Sequence, residues 1–424
     1  MASQEHGEIL AVLWGLQAFT IGYVEFRKAP SAAQPGRRIK VLGLVDTRAS
    51  HICSECGKRH REGFIQELEP RMWRECSIGD FETYIEITPW RVSCCGGTRV
   101  ETFPWEASGH RMTRRFFERL AALCTKMAIL TVAKMAGLSW DTVARIDKAA
   151  TRMALGGDDA LLEGLRFIGV DEVSRDGGHR YFTMVSDLET GRVVWIAEGK
   201  RKKALEGFFI KLGKRGCKRI KIVTSDLGAG YVEVIGKYTP HASHILDRFH
   251  IVKWLNDAIK QVRRRVFGRA PRDELGRRLK VKQWMLLKAR ERLEHKQKLG
   301  LAKLMRVNRP LYRAYLLKEQ LRGILHYPWV YLGALLRNLE SWCSAAVRCR
   351  IPEMGQVGWR LRKHLEKVVA GFHAGVKLGV VEANNGKVDV LRREARGYRN
   401  VEYFKLKIFQ RCSLPDNPWA KITL

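Results

Sequence analysis

The spacing of hydrophobic residues changes several times along the chain. Residues 9–50 alternate between apolar and polar side chains, a pattern typical of half-exposed strands. Residues 110–150 and 249–370 carry helix-spaced apolar side chains, which predicts amphipathic helices. Between these helical regions, short apolar runs bounded by polar residues favour buried strands. The pattern therefore predicts a multidomain α+β chain.

The second strand region contains two apolar runs that each end on an aspartate. The runs are residues 165–171 and 219–226, which end at Asp171 and Asp226. The other strands predicted in this region are a hairpin at 179–186 and 192–197 and a short strand at 243–247. With helical segments between them, the order is β-β-β-α-β-α-β, that of the ribonuclease-H-like fold. In that fold the first and fourth strands are neighbours, so Asp171 and Asp226 would meet at a strand-end edge where ligands bind.

Composition changes this picture mainly through charge. Lysine and arginine number 77 against 44 aspartates and glutamates, a net charge of +33 at pH 7. Such a field attracts polyanions, so nucleic acid is the expected partner, with a merely basic or ribosome-associated protein as the alternative. No run of about 18 uncharged apolar residues occurs, and the first residues are polar and acidic. We therefore expect no transmembrane helix, no secretory signal and a cytoplasmic location.

The segment 131–146 has the pattern of a helix-turn-helix. One helix would end at Gly137, and Ser139 would cap a second helix that carries Val143 and Ile146 inward. An ordinary helical hairpin has the same pattern, but the basic charge favours DNA binding with the second helix in the major groove. The candidate DNA contacts in this segment are Ser139, Trp140, Thr142 and Arg145.

Five of the ten cysteines lie between residues 53 and 95. Cys53 and Cys56, followed by a glycine, form a C-x-x-C-G knuckle that can give two thiolates to a tetrahedral zinc ion. Cys94 and Cys95 are the candidates for the second pair, although adjacent cysteines can both bind one ion only with unusual backbone geometry. Two further residues are substitutes for this pair: His60 and Cys76. The sequence thus predicts a structural Zn²⁺ site, against a knuckle that has lost its metal.

The paired aspartates indicate phosphate chemistry. Two close carboxylates repel each other, which raises a pKa unless a cation is present. Mg²⁺ removes the repulsion, and a third acid from a helix would complete a two-ion site for in-line attack on a phosphodiester. Asp171 or Asp226 alone would more simply cap a turn, so their joint pattern in a basic chain supports the hypothesis. Glu382, Asn385 and Asp389 share one face of a predicted helix.

Several motifs, in the same order, are similar to those of transposases of the ISL3 insertion-sequence family. The first is Ile-Gly-Val-Asp-Glu at 168–172, followed by Gly-His-Arg-Tyr at 178–181. The others lie at 187–193, 247–253 and 397–400. The resemblance covers nearly the whole chain, including the cysteine knuckle and the helix-turn-helix. The one departure is the adjacent cysteine pair, where the family usually has two intervening residues.

The resemblance implies a DDE-type transposase that binds terminal inverted repeats and uses two Mg²⁺ ions to cleave and join DNA. Its three acids fall on Asp171, Asp226 and Glu382. Glu394 and Glu366 are the next candidates for the third acid. The implied domains are a zinc-ribbon-like module at 1–104, a helix-turn-helix at 105–155, a ribonuclease-H-like core at 165–250 and 371–424, and an all-helical insertion at 251–370.

The implied partners are the double-stranded DNA of the element ends and of the target. Pairing two ends favours a homodimer or larger assembly on DNA, within the nucleoid. Phosphate contacts are expected from basic residues of the insertion and the C-terminal helix: Arg263, Arg264, Arg392 and Arg393. Two other functions fit the same residues. A non-catalytic DNA-binding regulator would bind DNA without metal-dependent nicking, and a nuclease of the same fold would cut but not join strands.

Overall fold

The computed structural model describes residues 16, 19–28, 38–46, 48, 50–107, 109–157, 159–176, 180–199, 202–226, 229–267 and 283–415. The chain divides into two compact units, Met1–Ala154 with Leu414–Leu424, and Leu155–Ser413. Both units combine sheet and helix, which confirms the α+β prediction. Among the described residues, no helix is long and apolar enough to span a membrane.

The described part of the N-terminal unit holds nine strands. They are β1 (Phe19–Lys28), β2 (Arg38–Asp46), β3 (His51–Cys53), β4 (Arg59–His60), β5 (Phe64–Glu67), β6 (Arg71–Ile78), β7 (Phe81–Ile87), β8 (Trp90–Cys94) and β9 (Gly97–Thr102). One sheet has the order β1-β2-β7-β6, and the other has the order β4-β3-β9-β8-β5. The antiparallel pairing of β1 with β2 confirms the strand pair predicted from the alternating pattern.

Three helices follow these sheets: α1 (Arg114–Lys126), α2 (Ile129–Ala136) and α3 (Trp140–Leu155). The turn between α2 and α3 has the predicted local structure. Gly137 takes φ +67°, which the absence of a side chain permits, and Ser139 Oγ accepts a hydrogen bond of 3.2 Å from the backbone N–H of Thr142. Val143 and Ile146 are fully buried in the core that the three helices share. The predicted helix boundary and cap are therefore confirmed.

The second unit is built on a five-stranded sheet. Its strands are β10 (Phe167–Ser174), β11 (Tyr181–Asp187), β12 (Val193–Glu198), β13 (Ile222–Ser225) and β14 (Ser243–Leu246). The sheet order is β12-β11-β10-β13-β14, with β11 antiparallel to both of its neighbours and β13 parallel to both of its neighbours. The pairing of β10 with β13 confirms the predicted contact of the first and fourth strands of this region. Residue 179, in the predicted strand 179–186, lies outside the described residues.

One strand prediction was wrong in its boundary. Asp171 does not close its strand, because β10 continues three residues further to Ser174. The pairing with β13 ends before Asp171, but β11 still pairs with Glu172, Val173 and Ser174. Asp171 therefore lies inside a strand whose neighbour on one side has already ended.

The remaining helices of the described chain belong to this unit. They are α4 (Lys202–Arg219), α5 (Ala229–Tyr238), α6 (Arg248–Phe267), α7 (Gln283–Leu287), α8 (His295–Val307), α9 (Arg309–His326), α10 (Leu332–Arg348), α11 (Pro352–Arg362), α12 (Leu365–Ala370), α13 (Gly379–Glu394) and α14 (Val401–Ser413). A short 3₁₀ helix covers Arg290–Arg292. The described residues between 248 and 415 hold helices and no strand, as the helical spacing predicts. One hydrophobic core joins α6, α9, α10 and α11.

Helices cover both faces of the five-stranded sheet. On one face, Val170 packs in a core with Phe208 of α4. On the other face, Phe182 packs in a core with Val388 of α13 and Phe404 of α14. Because side chains alternate along a strand, Asp171 points toward the α13 side and Glu172 toward the α5 side.

Gly169 sets how closely α13 approaches the sheet. A Cβ atom at this position would lie 2.4 Å from Cγ2 of Val381 and 2.9 Å from Cδ2 of Leu188. These distances leave no room for any side chain. The absence of one at Gly169 lets α13, which carries Glu382, lie directly over β10.

Gly169→Ala is expected to destabilise the chain by about 1–3 kcal/mol, because the added methyl group overpacks this contact. Urea unfolding measures the change. Gly236→Ala in α5 is the matched control, since its new Cβ would have no atom within 4 Å. That change should be neutral or add up to about 1 kcal/mol through helix propensity. Equal stability of Gly169→Ala and the parent would contradict the close packing.

Candidate active site and cysteine cluster

Three aspartates lie in one row across neighbouring parallel strands. β10 pairs with β13 through Gly169 and Thr224, and Asp171 and Asp226 each follow two residues later. β13 and β14 pair in register, and each ends one residue before an aspartate, Asp226 or Asp247. The structure therefore brings the two predicted acids to one sheet edge and adds a third aspartate beside them.

The Asp171 carboxylate contacts a backbone N–H and an amide, and it lies near one histidine. Its Oδ1 accepts a 2.8 Å hydrogen bond from the backbone N–H of Glu172, and its Oδ2 accepts one of 2.7 Å from Nδ2 of Asn385. His250 Nε2 lies 3.8 Å from Oδ1. Burial raises the pKa of Asp171 and the charge of Asp226 adds to the rise, whereas His250 and the two hydrogen bonds lower it. No lysine or arginine contacts this carboxylate within the described chain, so a bound cation would relieve the cost of its charge.

Asp247, which follows β14, and His250, in the first turn of α6, extend this group. Both side chains are buried. Asp247 Oδ1 accepts a 3.0 Å hydrogen bond from the backbone N–H of Phe249 at the start of α6. Burial raises the pKa of Asp247, the Phe249 N–H and His250 lower it, and the charge of Asp171 raises it. The sequence signal for these two residues is an aspartate just before a helix with a histidine one turn later.

Helix α13 is held over the sheet by two asparagines. Asn384 Nδ2 donates to Ser186 Oγ at 3.1 Å and to the carbonyl of Gly191 at 3.0 Å, and Asn385 donates to Asp171 as described above. Glu382 lies one turn before Asn385 and is exposed. Among the described residues none forms a hydrogen bond or an ion pair with Glu382, and its side chain is exposed to solvent.

The opposite face of the sheet holds a second polar group. The hydroxyl of Tyr231 is buried, donates to Glu172 Oε1 at 3.0 Å and lies 2.9 Å from Thr183 Oγ1. Burial raises the pKa of Tyr231. Tyr231 thus joins α5 to two strands, directly behind Asp171. The sequence pattern alone did not single out Tyr231.

The predicted DNA contacts of α3 are mostly solvent-facing. Ser139, Trp140 and Arg145 are exposed, with 46% of the surface of Trp140 accessible, and Thr142 is half-buried. Ser139 also caps the helix, so its hydroxyl serves the fold as well as the surface.

The predicted phosphate contacts of the second unit differ from one another. Arg264 and Arg393 are exposed, and Arg263 is half-buried. Arg392 donates to Ser174 Oγ at 3.1 Å and to Asp389 Oδ1 at 2.9 Å, and so helps to hold α13 against β10. The sequence also has a basic run at residues 277–280, which lies outside the described residues.

Four cysteine thiols converge in the N-terminal unit. The Sγ atoms of Cys53, Cys56, Cys94 and Cys95 all lie within 4.8 Å of one another. Cys56 and Cys94 are 3.4 Å apart, and Cys94 and Cys95 are 3.6 Å apart. Zinc–sulfur bonds of about 2.3 Å in a tetrahedron give sulfur–sulfur edges of about 3.8 Å. The cluster has the size and donor chemistry of a Cys₄ zinc site.

The backbone explains how adjacent cysteines join one cluster. Cys95 and Gly96 form the two-residue turn between β8 and β9, with φ +54° and +71°. This left-handed turn is unusual for a cysteine and directs its thiol back toward Cys94. In the first knuckle, hydrogen bonds from the backbone N–H groups of Cys56 and Glu55, with smaller contributions from the neighbouring thiols, lower the pKa of Cys53 to about 7. The substitutes His60 and Cys76 are not part of the cluster.

A second group of potential ligands already holds a cation. Asp46, His51 and Glu101 lie close together. The guanidinium of Arg48 is 2.6 Å from both carboxylates and stacks over the ring of Phe19. His51 Nδ1 lies 2.9 Å from the same Glu101 carboxylate. Because Arg48 occupies the space between the acids, this group stabilises the fold and does not resemble a metal site.

Comparison with known proteins agrees with these features. A family model described as a transposase matches residues 168–408, more than half of the chain. A second model, described as the helix-turn-helix domain of transposase family ISL3, matches residues 101–151. The chain belongs to the ISL3 transposase family. The first matched region of this family member includes Asp171, Asp226 and Glu382, whereas the cysteine cluster lies outside both regions.

Two curated relatives extend the similarity beyond the matched regions. The transposase for insertion sequence element IS1001 of Bordetella parapertussis is 29% identical over 414 residues, which cover 97% of this chain and 98% of that protein. The transposase for IS1557 of Mycobacterium tuberculosis is 30% identical over 400 residues, 87% of each chain. The ISL3 family resemblance inferred from the motifs is therefore confirmed.

Tyr231→Phe is expected to lower the free energy of unfolding of this ISL3 transposase by about 1–2 kcal/mol. The change removes the hydroxyl that contacts both Glu172 and Thr183, so the half-buried Glu172 carboxylate loses the hydrogen bond from Tyr231. Chemical denaturation measures it. Tyr238→Phe, on the same helix but half-buried, is the control and should cost less. An equal effect of the two changes would show that the buried hydroxyl carries no special role.

Proposed function

We propose that the chain is a DDE transposase that cuts DNA at the ends of an insertion sequence and joins those ends to target DNA. The observation that carries this proposal is the meeting of Asp171 and Asp226 at one sheet edge, with α13 alongside. The strand order β12-β11-β10-β13-β14, with three antiparallel strands followed by two parallel ones, supports a ribonuclease-H-like core. The family membership supports the same reaction class.

We assign Asp171, Asp226 and Glu382 as the residues that would hold two Mg²⁺ ions. The fit rests on the donor set, since all three offer carboxylate oxygens, and burial together with the charge of Asp226 raises the pKa of Asp171. When bound, the ions would supply charge stabilisation for the attacking and leaving oxygens of a phosphodiester. Asn385 would orient the Asp171 carboxylate through its 2.7 Å hydrogen bond. The exposed Glu382 carboxylate would complete the site from the DNA side.

DNA binding would come from both units. In the helix-turn-helix, α3 would enter the major groove of the terminal inverted repeats and present Trp140 and Arg145 to the bases. The exposed Arg264 and Arg393 would contact phosphates, supported by the net charge of +33. Each phosphate contact releases counterions, so affinity should fall steeply with salt concentration. We further propose a homodimer or larger assembly that pairs two element ends on nucleoid DNA in the cytoplasm.

The domain organisation that we propose follows the sequence boundaries. A zinc-ribbon-like module at 1–104 and the helix-turn-helix at 105–155 precede a catalytic core formed by 165–250 and 371–424. The helices within 251–370 would form an insertion between the second and third acids, supported by the hydrophobic core that joins α6, α9, α10 and α11.

Loss of any one of the three carboxylates should abolish metal-dependent cleavage. The assay uses a labelled duplex with the element end, Mg²⁺, and the variants Asp171→Asn, Asp226→Asn and Glu382→Gln. Each rate should fall at least about a hundredfold, because a lost ligand removes several kcal/mol of charge stabilisation. DNA affinity, measured by anisotropy, should change little.

Glu402→Gln is the matched control for this assay, since Glu402 is an exposed acid on α14, and its rate should equal that of the parent. Full cleavage by Glu382→Gln would remove that residue from the site and leave Glu394 and Glu366 to be tested. Joined products identify a transposase, cut but unjoined products identify a nuclease, and DNA binding without cuts identifies a regulator.

We propose that the cysteine cluster holds one structural Zn²⁺ ion through Cys53, Cys56, Cys94 and Cys95. The convergence of the four thiols supports this assignment. The ion would tie the turn after β3 to the turn after β8, and so hold together two hairpins of one small sheet. Such cross-links stabilise modules that have little hydrophobic core of their own.

Elemental analysis of the purified protein should find one zinc ion per chain. Cys95→Ser should lower zinc affinity at least about tenfold in competition with a chelator, because one of four thiolates is lost. Cys349→Ser, a half-buried cysteine outside the cluster, is the control and should keep the ion. A zinc-free parent protein with normal folding, or full zinc affinity in Cys95→Ser, would reject the assignment.

A further inference from the structure

A chain of polar side chains links α12 to the strand end that carries Asp226. Ser225 Oγ lies 2.7 Å from Nε2 of His244, and Nδ1 of the same ring lies 3.4 Å from Nζ of Lys367. Ser225 Oγ also donates to the backbone carbonyl of Asp226 at 3.3 Å. Ser225 is buried, and His244 and Lys367 are half-buried. These three side chains therefore connect β13, β14 and α12.

The donors and acceptors of these three side chains fix the direction of the hydrogen bonds between them. A lysine ammonium has only donors, so Nδ1 of His244 must accept from Lys367. The ring then carries its proton on Nε2 and donates it to Ser225 Oγ. The hydroxyl of Ser225 in turn donates its hydrogen bond to the backbone carbonyl of Asp226. Burial lowers the pKa of His244 to about 4, and the charges of Lys367 and His364 act in the same direction. The neutral ring at neutral pH has the single N–H that this order requires.

We infer that Lys367, His244 and Ser225 form a positioning relay that fixes the peptide of Asp226 and couples its carboxylate to α12. This inference rests on the proposed role of Asp226 as a metal ligand. Asp226 directly follows the last residue of β13. The relay adds a hydrogen bond to the peptide of Asp226, and it is anchored on β14 through His244.

The relay also gives the helical region a route to the metal site. Helix α12 packs against β14, and Gly371 at its end would place a Cβ only 2.8 Å from Cγ2 of Ile245. The backbone that carries Lys367 is therefore held in place by this packing against β14. A shift of α12 against β14 would move the lysine, the ring and the serine together, and so change the position of Asp226.

The test measures the binding of Mn²⁺ alone to the full-length protein by titration calorimetry, without DNA. Ser225→Ala, His244→Leu and Lys367→Met should each weaken the binding that depends on Asp226 by about three- to tenfold, since ligand-orienting partners set metal affinity. His244→Gln keeps an N–H donor near the Nε2 position and should recover part of the loss. Lys363→Met is the matched control: it removes an exposed charge close to Lys367 and should bind as the parent does.

The outcomes separate this inference from the proposed function. If the parent and Asp226→Asn bind Mn²⁺ equally, the proposed metal site fails. If Asp226→Asn loses binding but the three relay variants keep parental affinity, only the relay is wrong. A merely structural role would lower the melting temperature without changing the affinity of the folded protein. Should a buried change prevent folding, Lys367→Met at the half-buried end decides, and parental affinity in that variant overturns the inference.

Discussion

The parallel pairing of β10 with β13 is the contact on which the candidate active site depends. It joins two segments that are more than fifty residues apart and sets Asp171 and Asp226 at equal height. A one-residue shift of this register would turn one of the two carboxylates to the opposite face of the sheet. The strand β14 extends the same register, which is why Asp247 joins the row.

Around this row, the two faces of the sheet have different tasks. On one face α13 lies close over Gly169 and brings Asn385 to the Asp171 carboxylate. On the other face Tyr231 holds Glu172, the neighbour of Asp171 in sequence. Strand alternation separates these adjacent acids, so Asp171 faces α13 while Glu172 is hydrogen-bonded on the α5 side. Each carboxylate is therefore held by a different helix.

In the cysteine cluster, the folded backbone brings together two cysteines whose spacing in the sequence is unusual for a zinc knuckle. The adjacent pair Cys94 and Cys95 does not fit the usual knuckle spacing, and the sequence predicted that both could bind only with unusual backbone geometry. The turn provides it, because Cys95 accepts a positive φ next to Gly96. The left-handed turn therefore brings the two thiols together without the two residues that usually separate such cysteines. Binding of the proposed Zn²⁺ ion would offset the backbone strain at Cys95.

The sequence by itself determined the parts of this protein that depend on neighbouring residues. Hydrophobic spacing predicted the β1–β2 pair, the strands of the five-stranded sheet and the helical regions, and the Gly137 turn and Ser139 cap marked the helix-turn-helix. These signals act within one or two turns of chain. The sequence motifs indicated the ISL3 transposase family and, through that resemblance, the three candidate acids. Only the tertiary structure decided which groups meet. Asn385 reaches Asp171 across 214 residues, and the continuation of β10 past Asp171 depends on β11 as a partner, so neither can be deduced from local pattern.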